Sequence, residues 1–150
     1  MTTTGKKKKS LRWRLKKGER KSLKDRILVD TTIWIEFFRG KTKIADHLEM
    51  FLKENTAWTC GVVMFEVLQG IKSEGEKNKV LNVLAGLPYL EMTKELWQRV
   101  AELSKSLKKK GVNLPLSDIF ISAIAIENDL PIYTLDNHFE QIPGVKTYRI

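Results

Sequence analysis

Cysteine and histidine are scarce here: 150 residues include one cysteine, Cys60, and two histidines, His47 and His138. A lone thiol forms no internal disulfide, and so few soft donors exclude a cysteine zinc site and argue against a His-rich one. The composition fits a reducing cytoplasm. Long apolar runs are missing as well. The longest, Ile119 to Ile126, spans eight residues and includes Ser122, whereas a membrane-spanning helix needs about eighteen or more. No apolar stretch of a secretory signal follows the basic Lys6–Lys9. No glycine-rich dinucleotide fingerprint occurs. Gly40-Lys41-Thr42 imitates the end of a phosphate-binding loop, but Ile35 stands where its first glycine belongs. There is no G-x-S-x-G elbow, and neither histidine has a serine or cysteine partner in pattern, which argues against a nucleophilic triad.

What is present is ordinary for one globular domain, with 42% apolar and 30% charged residues. The net charge of +9 points first to a polyanion binder. That charge is unevenly placed. Residues 1–26 hold 12 Lys and Arg against only Glu19 and Asp25, a balance of +10, and the remaining 124 residues sum to −1. The basic stretch has few apolar residues (Leu11, Trp13, Leu15, Leu23), too few to offset the entropy of ordering it. It is expected to be a flexible arm, or a helix that forms only on a partner, with Lys6, Lys7, Lys8, Lys9, Arg12 and Arg14 as candidate RNA contacts. A domain is expected over 27–150.

From Ile27 onward, short β-branched runs alternate with helical periodicity, the mark of an α/β domain with a parallel sheet. Strands are predicted at Ile27–Val29, Ala57–Cys60, Tyr89–Met92 and Pro131–Leu135, with an edge strand at Val145–Tyr148. Helices are predicted between them, including a long amphipathic one over Thr93–Lys109 that stops at Gly111 and another over Ser117–Asn128. Trp34, Phe37, Phe38, Ile44, Leu48 and Phe51 read as core residues.

The unusual residues are acids in apolar settings. Asp30 follows Ile27-Leu28-Val29 and Asp136 follows Ile132 to Leu135, so both are expected at the carboxyl edge of a parallel sheet, where ligands of open α/β sheets bind. Each would serve equally as a helix N-cap. Glu66 is harder to dismiss: it lies mid-helix with Val62, Val63, Gln69 and Gly70 at helical spacing and no Lys or Arg there to pair with it. Asp118 admits both readings, because Ser117 could cap its helix while Ile121, Ser122 and Ala125 face inward. Four carboxylates at one sheet edge would repel unless a hard divalent cation sat among them, which suits Mg²⁺ or Mn²⁺ rather than zinc. Such an ion activates water against a phosphodiester. Spacing alone does not separate a nuclease from a carboxylate-rich phosphatase. A haloacid-dehalogenase-like phosphatase, however, would want an acid where Thr32 stands, two residues after Asp30.

Val29-Asp30-Thr31-Thr32-Ile33-Trp34, Phe65-Glu66-Val67-Leu68-Gln69-Gly70, Leu116-Ser117-Asp118-Ile119-Phe120-Ile121-Ser122-Ala123 and Thr134-Leu135-Asp136-Asn137-His138-Phe139 resemble the successive motifs of PIN domains, most of all the VapC-type toxin ribonucleases of toxin–antitoxin pairs. The resemblance covers Ile27 to Ile150. It implies a three-layer α/β/α sandwich with a central, mainly parallel sheet and Mg²⁺- or Mn²⁺-dependent RNA cleavage to a 5′-phosphate and a 3′-hydroxyl. By position it implies Asp30, Glu66, Asp118 and Asp136 as catalytic, metal-binding acids, supported by Thr31 and Thr134. It also implies a homodimer and a small VapB-type antitoxin whose apolar segment lies in a groove of the early helices and whose basic residue enters the acidic site. One departure is visible: many relatives have T-x-D-x-D-F, and His138 stands here at the second Asp, which leaves a fifth acidic ligand missing. His138 is expected on the rim, or in contact with a phosphate. The competing class is a non-catalytic nucleic-acid-binding module that uses the basic arm.

Overall fold

The computed structural model describes residues 26–40 and 42–150. The arm residues Lys6, Lys7, Lys8, Lys9, Arg12 and Arg14 lie outside the described residues. In chain order the elements are β1 (Ile27–Val29), α1 (Thr31–Arg39), α2 (Lys43–Lys53), β2 (Ala57–Cys60), α3 (Gly61–Gln69), α4 (Glu74–Ala85), β3 (Tyr89–Leu90), α5 (Lys94–Lys109), α6 (Leu116–Glu127), β4 (Ile132–Tyr133), a 3-10 helix (Asn137–Gln141) and β5 (Thr147–Tyr148).

The five strands form one sheet in the order β3-β2-β1-β4-β5. Every pairing is parallel, with Leu28 aligned to Trp58 on one side and to Ile132 on the other. The result is a three-layer α/β/α sandwich. β1 is central because it is wholly apolar: Ile27, Leu28 and Val29 are all 0% exposed. Order reverses between β1 and β4, since the chain first builds outward through β2 and β3 and then returns to the other side of β1. Such a reversal opens a crevice beyond the carboxyl ends of the two strands.

Local signals account for most boundaries. Thr42, Ser73 and Thr93 cap α2, α4 and α5 by accepting from the backbone N–H of Ala45, Glu76 and Leu96. α5 ends in Lys108 and Lys109, which suit the negative end of the helix dipole. Its chain then reverses at Gly111, whose φ of +74° favours glycine. α6 is apolar on nearly all sides and is correspondingly buried from Asp118 through Ala125 except for Phe120, which is only partly covered.

Three expectations need correction. β4 ends at Tyr133 rather than Leu135, so Asp136 follows an extended link of two residues instead of the strand itself. β3 is two residues long, ending at Leu90 rather than Met92. Phe38 is not core: Trp34, Leu48 and Phe51 are buried, but Phe38 is 38% exposed, stacked on Trp34 at 5.9 Å. A nine-residue helix cannot turn Ile33, Trp34, Ile35, Phe37 and Phe38 all inward, because successive positions are rotated by about 100°.

Candidate active site

Asp30 is presented by the sheet. Its backbone N–H extends the β1–β4 ladder to Tyr133 O at 2.9 Å. Although it stands at the N-cap of α1, its side chain does not cap the helix. Asp30 Oδ2 instead accepts two hydroxyls, from Thr32 and from Thr134, each at 2.8 Å. Thr32 Oγ1 in turn accepts the N–H of Leu135 at 3.1 Å, and Thr134 Oγ1 accepts the N–H of Asp136 at 2.9 Å. The ends of β1 and β4 are thus tied together through hydroxyls.

Glu66 reaches the same edge from mid-α3, where its Oε1 accepts the Thr31 hydroxyl at 2.9 Å. Thr31 and Thr134 therefore both support carboxylates, but different ones. Thr32 is the support for Asp30 that motif reasoning missed, although a hydroxyl two residues after a strand-end Asp is itself a usable signal. Asp118 enters from the first turn of α6 and is 7% exposed. Ser117 does not cap that helix, which begins at Leu116 after Pro115. Asp136 does act as an N-cap, its Oδ1 accepting the His138 N–H at 2.9 Å.

His138 stands at the edge of the groove, 45% exposed, yet it also reaches two of the acids. Its Nδ1 lies 2.9 Å from Asp118 Oδ2 and 3.2 Å from Asp136 Oδ1. Arg149 was also invisible to motif reasoning. Its guanidinium donates to Asp136 O at 2.7 Å and to Leu135 O at 3.4 Å, and so braces the link that carries Asp136 and His138.

Burial and neighbouring charges act on Asp30 and Asp118. Burial pushes the Asp30 carboxyl above its ordinary range, the hydroxyls of Thr134 and Thr32 pull it down without cancelling that effect, and the charge of Glu66 pushes it further up. Asp118 is raised too, first by burial; His138 pulls the other way, and the charges of Asp136 and Asp30 add to the rise. Cys60, buried at the end of β2, has its thiol pushed up to about 11, mainly by burial with smaller contributions from Asp30 and Glu66. It is protonated and unreactive at neutral pH.

Among the described residues, no lysine or arginine forms an ion pair with Asp30, Glu66, Asp118 or Asp136. A set of partly buried oxygen donors with no lysine or arginine to neutralise it fits a hard divalent cation. One ligand atom from each of Asp118, Asp136 and His138 lies within 4.8 Å of the others.

Two concavities adjoin this edge. A groove of about 570 Å³ runs past Thr32, Leu135, Asp136 and His138. A second, of about 550 Å³, lies between α1, α3 and α4, lined by Phe38, Val67, Ile71 and Val80 with Glu66 at its wall. Ile35 lines both.

The PIN domain matches residues 27–145. Ribonuclease VapC1 of Methanocaldococcus jannaschii is 30% identical over 144 residues, covering 93% of this chain and 96% of the relative. That match is wider than residues 27–150 and takes in part of the basic N-terminal stretch. A toxin–antitoxin complex from Klebsiella pneumoniae contains a chain of similar fold, with a TM-score of 0.67 and 26% identity over 83% of this chain and 99% of that one. VapBC2 from Rickettsia felis, bound to a promoter DNA fragment, has a TM-score of 0.71 at 21% identity, over 81% of this chain and 96% of that one, a likeness of fold. With the parallel sheet, the acids at its carboxyl edge and a family match over most of its length, the chain belongs to the PIN domain family.

Proposed function

We propose that this protein is a metal-dependent endoribonuclease, the toxin of a toxin–antitoxin pair, with Mg²⁺ or Mn²⁺ held by Asp30, Glu66, Asp118 and Asp136. The observation that carries this reading is a set of acids at the β1–β4 crevice with no lysine or arginine partner among the described residues: Asp118 and Asp136 stand with His138 within 4.8 Å, the charge of Asp30 reaches Asp118, and that of Glu66 reaches Asp30. The ribonuclease assignment of VapC1 from M. jannaschii supports it. A bound divalent cation supplies a water of lowered pKa and offsets the charge that develops on a phosphodiester.

The chain's own contribution is orientation. Thr32 and Thr134 occupy Asp30 Oδ2 and fix the plane of that carboxylate. Thr31 fixes Glu66, and Arg149 holds the link that presents Asp136. The groove past Leu135 and Asp136 is open to solvent and can admit an RNA backbone. The basic residues Lys6, Lys7, Lys8, Lys9, Arg12 and Arg14 would add electrostatic affinity for that backbone. If six cations met phosphates on a single strand, log K would fall with log salt at a slope of about −4.

The apolar groove of Phe38, Val67 and Val80 is the surface for a small VapB-type antitoxin, with Glu66 positioned to receive a basic residue from it. Phe65, Trp97 and Leu116 are exposed apolar side chains around partly buried Phe120, a patch suited to a homodimer. No helix among the described residues is long and apolar enough to cross a membrane, and a cytoplasmic setting suits both RNA and antitoxin.

The decisive experiment incubates the protein with total RNA and Mg²⁺ and maps new 5′ ends against an Asp30→Ala control of unchanged folding. Cleavage leaving 5′-phosphates, absent in the variant and in excess EDTA, is expected. Full activity in either condition would overturn the reading.

A further inference from the structure

We propose that His138 is a direct metal ligand, and that its imidazole, set beside Asp118 and Asp136, makes this site favour Mn²⁺ over Mg²⁺. The inference rests on the reading of the crevice as a divalent-cation centre and adds the donor that sets its preference.

The geometry is that of neighbouring ligands. His138 Nδ1 stands 2.9 Å from Asp118 Oδ2 and 3.2 Å from Asp136 Oδ1. Adjacent donors around an octahedral ion with bonds of about 2.1 Å are separated by about 3 Å. The same three residues offer one donor atom each within a 4.8 Å circle.

The backbone that carries the imidazole is also held from several sides. The His138 N–H is bonded to Asp136 Oδ1, the next residue, Phe139, is 0% exposed, and Arg149 grips the carbonyls of Leu135 and Asp136 just before it. A side chain anchored through its own turn needs little reorganisation to bind. At 45% side-chain exposure the ring keeps one edge toward the groove, so an ion there would remain accessible to water and to a phosphate.

Chemistry then sets the preference. Mg²⁺ takes oxygen donors almost exclusively and keeps much of its hydration, while imidazole nitrogen bonds more strongly to first-row transition ions. An all-carboxylate site is well matched to Mg²⁺. Replacing one donor by imidazole removes a negative charge that Mg²⁺ uses and adds a nitrogen that Mn²⁺ uses better. The contrary reading is that His138 is only an ion-pair partner that neutralises Asp118 and Asp136, in which case it would leave or be displaced when an ion binds.

Calorimetric titration of the chelator-stripped full chain with MnCl₂ and with MgCl₂, for wild type, His138→Asp and His138→Ala, separates the two. Pulsed electron paramagnetic resonance of the Mn²⁺-loaded forms reads nitrogen coupling directly. Expected results are ¹⁴N coupling in the wild type that both variants lose, and Mn²⁺ binding at least about tenfold weaker in His138→Ala. His138→Asp should bind Mg²⁺ more tightly and show a lower Mn²⁺-to-Mg²⁺ affinity ratio. Mn²⁺ binding to wild type without nitrogen coupling, or an unchanged ratio in His138→Asp, overturns the role of His138 alone. Failure of the wild type to bind either ion overturns the metal centre as well.

Discussion

The hydroxyl of Thr134, just past β4, donates to Oδ2 of Asp30, just past β1, across 2.8 Å and 104 residues of chain. This contact couples β1 and β4 at the point where the strand order reverses, and Thr134 is 0% exposed. Thr134→Val keeps the shape but leaves the Asp136 N–H and one lone pair of Asp30 without their partner. Loss of stability of about 1–3 kcal/mol is expected, with RNA cleavage reduced by about tenfold or more as the Asp30 carboxylate loses its orientation. Thr134→Ser should recover most of both. Chemical denaturation and a single-substrate cleavage assay measure them.

Asp118 and Asp30 have carboxyls raised above 3.8, each first by burial, with the charges of Asp136 and Asp30 adding to the rise at Asp118 and that of Glu66 to the rise at Asp30. A group whose pKa is higher folded than unfolded binds protons preferentially in the folded state, so its contribution is fully present below about 3.8 and is lost as pH rises through the folded value. In the metal-free protein, Asp118→Asn should therefore be more heat-stable than wild type at neutral pH. The gap should shrink toward pH 4 or below, and the variant should not cleave RNA. Adding Mn²⁺ or Mg²⁺ should raise the melting temperature of wild type and not of Asp118→Asn. Differential scanning fluorimetry across pH, with and without the ion, checks the sign.

Arg149 touches no candidate ligand side chain, yet it holds the carbonyls of Leu135 and Asp136. Arg149→Ala should act as a positioning defect: weaker Mn²⁺ binding and lower kcat, with RNA affinity at low salt little changed. Hydrogen exchange of the 134–141 segment should rise in parallel. Arg149→Lys, which keeps a donor but not the two-pronged grip, is expected to fall between.

Phe38 is stacked on Trp34 but 38% exposed in the apolar groove. Phe38→Ser should leave the unfolding free energy within about 1 kcal/mol of wild type, since little of its area is lost from the core. Its affinity for the antitoxin should drop by about 2 kcal/mol or more if the side chain anchors the partner segment. Calorimetry with the product of the adjacent gene measures this, and an unchanged affinity would place the antitoxin elsewhere.

The sequence by itself determined the alternation of strands and helices, the separation of a basic stretch from a nearly neutral body, and the positions of Asp30, Glu66, Asp118 and Asp136. These are local matters: β-branched runs, helical periodicity, threonine and serine caps, and acids placed where no basic neighbour could pair with them. Tertiary structure decided the partners. That Thr32 serves Asp30 while Thr31 serves Glu66 depends on how α1 rotates against α3, and consecutive residues on a helix point about 100° apart. That His138 comes within reach of Asp118 depends on a 3-10 turn capped by Asp136, whose base Arg149 grips from just beyond β5. Apart from the contacts of Thr32 with Asp30 and of His138 with Asp136, each two residues apart, these pairings and that of Thr134 with Asp30 join residues 13 to 104 positions apart, and only the packed sheet brings them within reach. The scarcity of histidine, which argued against a His-rich metal site, therefore did not settle the matter. One histidine, placed by the fold beside two carboxylates, is the residue on which the proposed ion preference turns.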